Sequence, residues 1–299
     1  MPVSAESFTG VDLSRLPPPR AVEELNFETI RSELITAFQA ELPSFDATLE
    51  SDPVVKLIEL LAHREMVWRA ARNAGLKAVM AAYATGSDLD QIGALFEVER
   101  LIITPAEPET GTLAVVESDD AFRQRMVLAP EGFSVAGPRG AYIFHSLSAD
   151  GDVLDVSAVT PEPGEVVVTV LSRSGTGAPT EEVLAAVQAA LSAEDVRPIT
   201  DLVTVQGATI VDYAIEATAT YYLGPDKSLI TNAANAALQD YLATNRRLGR
   251  AITRAGITAA LMVEGMQNIE LASPAADVEP TAFEAANCTA ITLNDGGYA

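Results

Sequence analysis

The stretch from Val54 to Ala74 carries apolar side chains on more than one face of a helix. Asp52 and Pro53 start it. A carboxylate can cap the first free N–H groups, and proline at the first helical position has no N–H to leave orphaned. Leu57, Ile58, Leu60, Leu61, Val67 and Trp68 follow at helical spacing. A helix that packs only on its own domain needs a single apolar stripe. Here the coverage is too wide for a small helical region to bury, so part of this helix is expected to lie against another chain. Leu57, Leu61 and Trp68 are the candidate interface residues, because large apolar side chains dominate interface energetics.

Charge and composition narrow the partner. The 299 residues hold 42 acidic and 19 basic side chains, a formal net charge of −23. Such a surface repels a polyanion, and no run of Lys/Arg makes a local exception, so nucleic acid is not expected as a partner. Hydrophobic residues make up 48% of the chain, enough to bury cores. At about 100–200 residues per domain, two or three domains are expected. Cys288 is the single cysteine, so no intramolecular disulfide and no cysteine-based metal site can form. His63 and His145 are the two histidines, too few for most zinc sites or His-based catalysis. The first residues lack a basic start followed by an apolar core, and no window reaches the roughly 20 apolar residues of a membrane span. The expectation is a soluble chain, made and assembled in the cytoplasm, with no membrane partner.

The pattern along the chain predicts an α+β, multidomain fold: a helical N-terminal region followed by two small mixed α/β modules. Residues 1–20 read as an extended arm, because Pro17, Pro18 and Pro19 favour polyproline II over helix. Residues 21–103 read as helical. Asn26 caps a helix bearing Phe27, Ile30, Leu34, Phe38 and Leu42, and Pro43 ends it. Helix continues with interruption past Leu76 to Tyr83, where Gly86 is a natural stop, and Ser87 with Asp90 suggests a new start. Residues 104–117 begin with TPAEPETG, a linker by composition. Residues 118–200 form the middle α+β domain: a helix capped by Ser118, a possible helix at 141–147, valine-rich strands at 152–159 and 165–171, and a helix at 180–193. Residues 201–299 form the C-terminal α+β domain, with strands near 202–205, 213–222, 268–271 and 289–293 and helices near 227–244 and 254–263. The two modules share a strand–turn–helix–basic order. Tandem duplication and the ordinary grammar of α+β folds both explain it.

Signals for chemistry are weak. Gly175 to Thr180 lies between a strand and a helix but lacks the third glycine of a dinucleotide loop, and Pro179 removes a donor that phosphate would want. Gly132 to Ala136 is one residue from a nucleophile elbow, but its flanks read as loop rather than strand and helix. His63 and Glu65 lack a second histidine at zinc-protease spacing, and His145 reads as half-buried beside Phe144. No catalytic, metal or cofactor residues are assigned. Among so many carboxylates some pair must stand a glycosidase distance apart, which keeps a carbohydrate hydrolase with paired carboxylates as the alternative.

Several stretches, taken in order, resemble the baseplate J family of contractile-tailed bacteriophages. They run from LPPPRAVEELNFETI through LESDPVVKLIELLAHRE and AVMAAYATGSDLDQIGALFEVERL. Then come ESDDAFRQRMVLAPEGFSVAGPRGAYIFHSLSADG, RPITDLVTVQGATIVDY and NRRLGRAITRAGITAALMVEGMQNIELASPAAD. The segments Gly86–Asp90 and Leu248–Arg250 are the most telling, and the similarity covers nearly the whole chain. The resemblance implies a structural, non-enzymatic wedge subunit of the virion's tail baseplate. It implies a second copy of itself and a baseplate I-like subunit as partners, joined through a helical bundle drawn from about 52–84. It also implies contacts beyond residue 200 with neighbouring wedges, and an arrangement around a hub that changes on tail contraction, with sheath-initiating proteins nearby. The same family occurs in phage-tail-like bacteriocins and other contractile particles, and it brings no cofactor.

Overall fold

A computed structural model of the chain describes residues 13, 16–17, 19–46, 49–194, 196–198, 200–224 and 226–298. Most of the arm expected at 1–20 lies outside the described residues. The chain forms two compact units, Val11–Glu99 and a larger one from Arg100 onward.

The smaller unit is helical. α1 (Phe27–Glu41) is capped by Asn26, whose Oδ1 accepts from the Thr29 N–H at 3.1 Å. α2 (Pro53–Ala78) is capped by Asp52, whose Oδ1 accepts from the Val54 N–H at 2.7 Å. α1 packs on α2, burying Ile30 from one helix and Val55, Ile58 and Ala62 from the other. Arg69 on α2 binds Glu65 and reaches Glu33 of α1 at 3.4 Å. Buried Asn73 holds the chain before α1. Its Oδ1 accepts from the Glu23 N–H at 3.0 Å and its Nδ2 donates to the Glu23 carbonyl at 2.7 Å. α3 (Gly86–Ala94) begins where the sequence pattern suggested a stop. α2 has already ended at Ala78, a run of turns follows, and Gly86 sits at φ +54° as the first residue of the next helix, behind Thr85. A glycine that admits a left-handed φ serves a helix entry here as it would an exit.

The larger unit opens on a short antiparallel hairpin, β1 (Ile102–Thr104) with β2 (Val115–Val116), so the end of the stretch read as helical and most of the one read as a linker form paired strands and their loop. α4 (Asp119–Gly132) is capped by Ser118, and α5 (Arg139–Ala149) packs beside it. β3 (Val153–Val159), β4 (Glu165–Ser172) and β5 (Leu202–Gly207) form a sheet in the order β3-β4-β5. β4 is central, antiparallel to β3 and parallel to β5, with α6 (Glu181–Leu191) as the crossover. Its run EVVVTVL is valine-rich because a central strand is covered on both sides. Val168 and Val170 are fully buried, and Val183, Val187 and Leu191 of α6 close the same core.

The C-terminal module repeats the theme with a different chain order. β6 (Thr209–Tyr221) is central in the order β7-β6-β8. It is antiparallel to β7 (Met266–Ser273) and parallel to β8 (Glu284–Tyr298). α7 (Lys227–Asn245) and α8 (Arg254–Leu261) bury Ile230, Ala234, Leu238, Ile257 and Leu261 against Ile215, Ala217 and Ala219. In the middle module the antiparallel neighbour precedes the central strand; here it follows. The shared strand–helix order therefore does not extend to a shared topology.

The two modules are joined by more than the continuous chain from β5 to β6. Leu171, Ala208, Leu248 and Ala285 form a buried cluster drawn from both. The Leu248 N–H donates to Asp155 Oδ2 at 2.8 Å, and Ser157 Oγ donates to the Ala282 carbonyl at 2.6 Å. Arg246 donates to the carbonyls of Arg173 and Gly175 at 3.2 and 2.8 Å. Leu171→Ala should therefore cost the larger unit about 2–5 kcal/mol, as for other fully buried leucines. A fall in the urea midpoint checks this, and an unchanged midpoint would show that the cluster contributes no stability.

Candidate functional site

The segments weighed for catalysis take up structural duties. The Gly175–Thr180 loop does join β4 to α6, but its Gly175 carbonyl is occupied by Arg246 Nη2. At Gly177 (φ +108°) an added Cβ would lie 2.7 Å from Leu171 Cδ1, so the backbone is pressed against the core instead of open to a phosphate. Gly132 to Ala136 follows α4 as helix end and loop, without the strand that an elbow requires. Ser134 Oγ accepts from the Ala136 N–H at 3.3 Å. His145 Nε2 lies 3.2 Å from the Gly132 carbonyl, its ring edge-on to Phe144. His63 is exposed on α2. Among the described residues no three His, Cys, Asp or Glu side chains converge in a way that could hold a metal.

Paired-carboxylate hydrolysis needs two carboxylates facing one concave pocket. A cavity of about 240 Å³ in the C-terminal module is lined by Tyr213, Gln239, Leu242, Arg246, Asn287 and Cys288 among others, and by no carboxylate. Burial pushes up both the Tyr213 hydroxyl and the Cys288 thiol there, so neither is primed as a nucleophile at neutral pH. A smaller cavity at the module junction is likewise without a lining carboxylate. Burial also raises the pKa of Asp155, but Asp155 is committed to the Leu248 N–H and to Arg247, 3.6 Å away.

The unsatisfied feature is a face of α2. The fold separates two sets of apolar residues that the sequence places together on this helix. Val55, Ile58 and Ala62 turn inward toward α1 and are at most 5% exposed. Leu57, Leu61 and Trp68 are 55%, 49% and 70% exposed. Leu60 and Val67, also exposed, fill the gaps between them. The spacing 57–60–61–64–67–68–71 places these positions on one side of the helix, because side chains three and four apart are neighbours. At about 1.5 Å per residue, Leu57 and Trp68 stand roughly 16 Å apart along the axis. Exposed Arg64 interrupts the stripe, and exposed Ala71 and Gly75 continue it with small residues that would admit a close helix approach. An added Cβ at Gly75 meets nothing within 4 Å. Soluble monomers rarely expose a contiguous apolar surface of this kind unless it is a contact site. Leu60 and Val67 were read as part of the apolar surface of this helix but not as interface candidates, and Ala71 was not singled out, although their spacing with Leu57, Leu61 and Trp68 carries the signal.

Comparison with known proteins gives this face a context. Residues 50–107 match the Baseplate J-like N-terminal domain, 134–207 the Baseplate J-like central domain and 213–294 the Baseplate J-like protein C-terminal domain. This chain belongs to the baseplate J family. It is thereby a structural protein of a phage tail baseplate. Baseplate protein J of Escherichia phage P2 is 47% identical over 296 residues, covering 96% of this chain and 98% of that protein. A chain in the cryo-EM structure of the anti-feeding prophage baseplate, 6-fold symmetrised, aligns with 16% identity and a TM-score of 0.40. That alignment spans 60% of this chain and 42% of the other. Within the baseplate J framework, α2 falls in the N-terminal domain, and the arginine-rich segment after α7 falls in the C-terminal one.

Proposed function

We propose that this baseplate J-family chain is a wedge subunit of a contractile tail, and that the outer face of α2 is its principal assembly surface. A second copy and a baseplate I-like subunit cover Leu57, Leu60, Leu61, Val67 and Trp68 in a helical bundle. The module beyond about residue 200 reaches neighbouring wedges around the hub, and the assembly rearranges when the tail contracts. The carrying observation is the apolar stripe on α2, opposite the face that packs on α1. It supports a bundle because spacing near 3.5 residues, small residues at one end and a polar interruption are features of helix–helix seams.

Co-expression with the baseplate I-like protein of the same particle tests this reading. Native mass spectrometry should find two copies of this chain with one partner chain, and antibody against the chain should label the distal end of the tail in electron micrographs. A chain that stays monomeric at micromolar concentration beside that partner, with label elsewhere on the particle, would overturn it.

A further inference from the structure

The junction between the middle and C-terminal modules holds a cluster of like charges that the wedge reading does not use. A cavity of about 30 Å³ there is lined by Arg125, Arg173 and Arg247, with Gln124, Leu147 and Leu154. Arg125 comes from α4, Arg173 directly follows β4, and Arg247 comes from the segment after α7. Converging guanidinium groups are unexpected in a chain with 42 acidic and 19 basic side chains.

Two of the three arginines are matched. Arg125 donates from Nε and Nη2 to the Glu117 carboxylate at 3.3 and 2.7 Å, and from Nη1 to Ser148 Oγ at 3.4 Å. Arg247 donates to the Leu154 carbonyl at 3.0 Å and to Gln124 Oε1 at 3.3 Å, with Asp155 at 3.6 Å. Arg173 differs. Its Nε donates to the Gly151 carbonyl at 3.0 Å, but among the described residues its two Nη groups meet no acceptor. The nearby Asp152 carboxylate is taken by the Ser174 N–H and hydroxyl, both at 2.9 Å. Burial holds the Arg173 guanidinium below its ordinary pKa; Arg247 and Arg125 repel it further, while Glu117 and Asp152 oppose them. A half-buried guanidinium with donors that no protein group takes up, beside two other guanidinium groups, attracts an anion.

We propose that this cavity binds one small monovalent inorganic anion of halide size, chloride being the physiological candidate, held by Arg173 with Arg247 and Arg125. The volume suits one or two water-sized particles, which favours a halide over a larger oxyanion. Because Arg247 belongs to the C-terminal module and the other ligands to the middle one, the bound ion ties the modules together. The stability of the junction then depends on halide concentration, not on ionic strength alone.

Thermal unfolding of the full chain in sodium chloride and in sodium gluconate of matched ionic strength tests this. Chloride should raise the midpoint saturably, by about 3 °C at a tenfold excess over Kd. Arg173→Gln should lose that increment whatever its own midpoint. Excess ³⁵Cl line broadening by the native chain should be displaced by bromide. In crystals grown with bromide, an anomalous peak should lie between Arg173 and Arg247. Equal midpoints in the two salts, or the same chloride increment in R173Q, would overturn the proposal. So would a cavity that holds only water at saturating bromide, and this last result does not depend on the variant folding.

Discussion

A chain carrying Leu57→Asp, Leu61→Asp and Trp68→Asp together is expected to fold and to fail to assemble. The three side chains are about half exposed or more, so replacing them removes little buried contact from the α1–α2 core. Ile30, Val55, Ile58 and Ala62 hold that core and are untouched. Placing three carboxylates on a seam that must dehydrate is costly in two ways. The apolar anchors are lost, at about 2 kcal/mol or more for a hot-spot residue, and an unpaired charge is left in the interface. Even partial additivity weakens binding at least ~100-fold, since each 1.4 kcal/mol is roughly tenfold. Trp68 is the single tryptophan, so its emission reports this face alone. The native chain should show a blue shift on mixing with its partner, and Leu57→Asp/Leu61→Asp, which keeps Trp68, should not. Far-UV circular dichroism should be the same for all three chains. Unchanged co-purification of the triple variant would remove α2 from the assembly surface. Ile58→Asp, on the opposite side of the same helix, should instead unfold the helical unit.

The contrast between Ile58 and Leu57 marks what the sequence could convey. Helical periodicity reveals that α2 has too much apolar surface for one face. It does not reveal which half the fold covers, because that depends on where α1 lies, and α1 is placed by tertiary contacts. Elements with a cap and a clean period were legible: Ser118 before α4, Thr180 before α6 and the valine runs of β3 and β4 stand where expected. Elements held by partners were not. β8 extends from Glu284 to Tyr298, beyond the expected 289–293, through residues such as Asn294, Asp295, Gly296 and Gly297 that disfavour strands locally. Parallel pairing along β6 overrides that preference. The β1–β2 hairpin hides behind Pro105, Pro108 and Gly111, a composition that also describes a linker. The arginine cavity was invisible for a further reason: Arg125, Arg173 and Arg247 are far apart in sequence, the first two meet only through the fold of the middle module, and docking of the C-terminal module adds the third.

Glu117→Ala should produce the largest loss of stability of any single charge change in the larger unit. Glu117 is 3% exposed and sits opposite Arg125, 4% exposed, in a two-pronged ion pair. The same residue anchors the start of the unit through its backbone. Its N–H donates to the Leu101 carbonyl at 2.9 Å, and its carbonyl accepts from Arg100 Nη1 at 2.7 Å. Arg100 and Arg125 lie 4.8 and 5.5 Å from the centroid of the fully buried Phe122 ring, so the pair is built into the packing of α4. Taking two charges out of water costs free energy that their attraction offsets only while both are present. Removing one leaves the other buried and uncompensated, at about 3–5 kcal/mol. Glu117→Ala should therefore lower the urea midpoint of the larger unit by more than Leu113→Ala, whose side chain is 83% exposed. Replacing both partners, as in Glu117→Leu with Arg125→Met, removes the charge problem along with the attraction. The double variant should be more stable than Glu117→Ala alone, and a double variant at least as unstable would show that the pair itself, rather than the stranded guanidinium, supplies the stability.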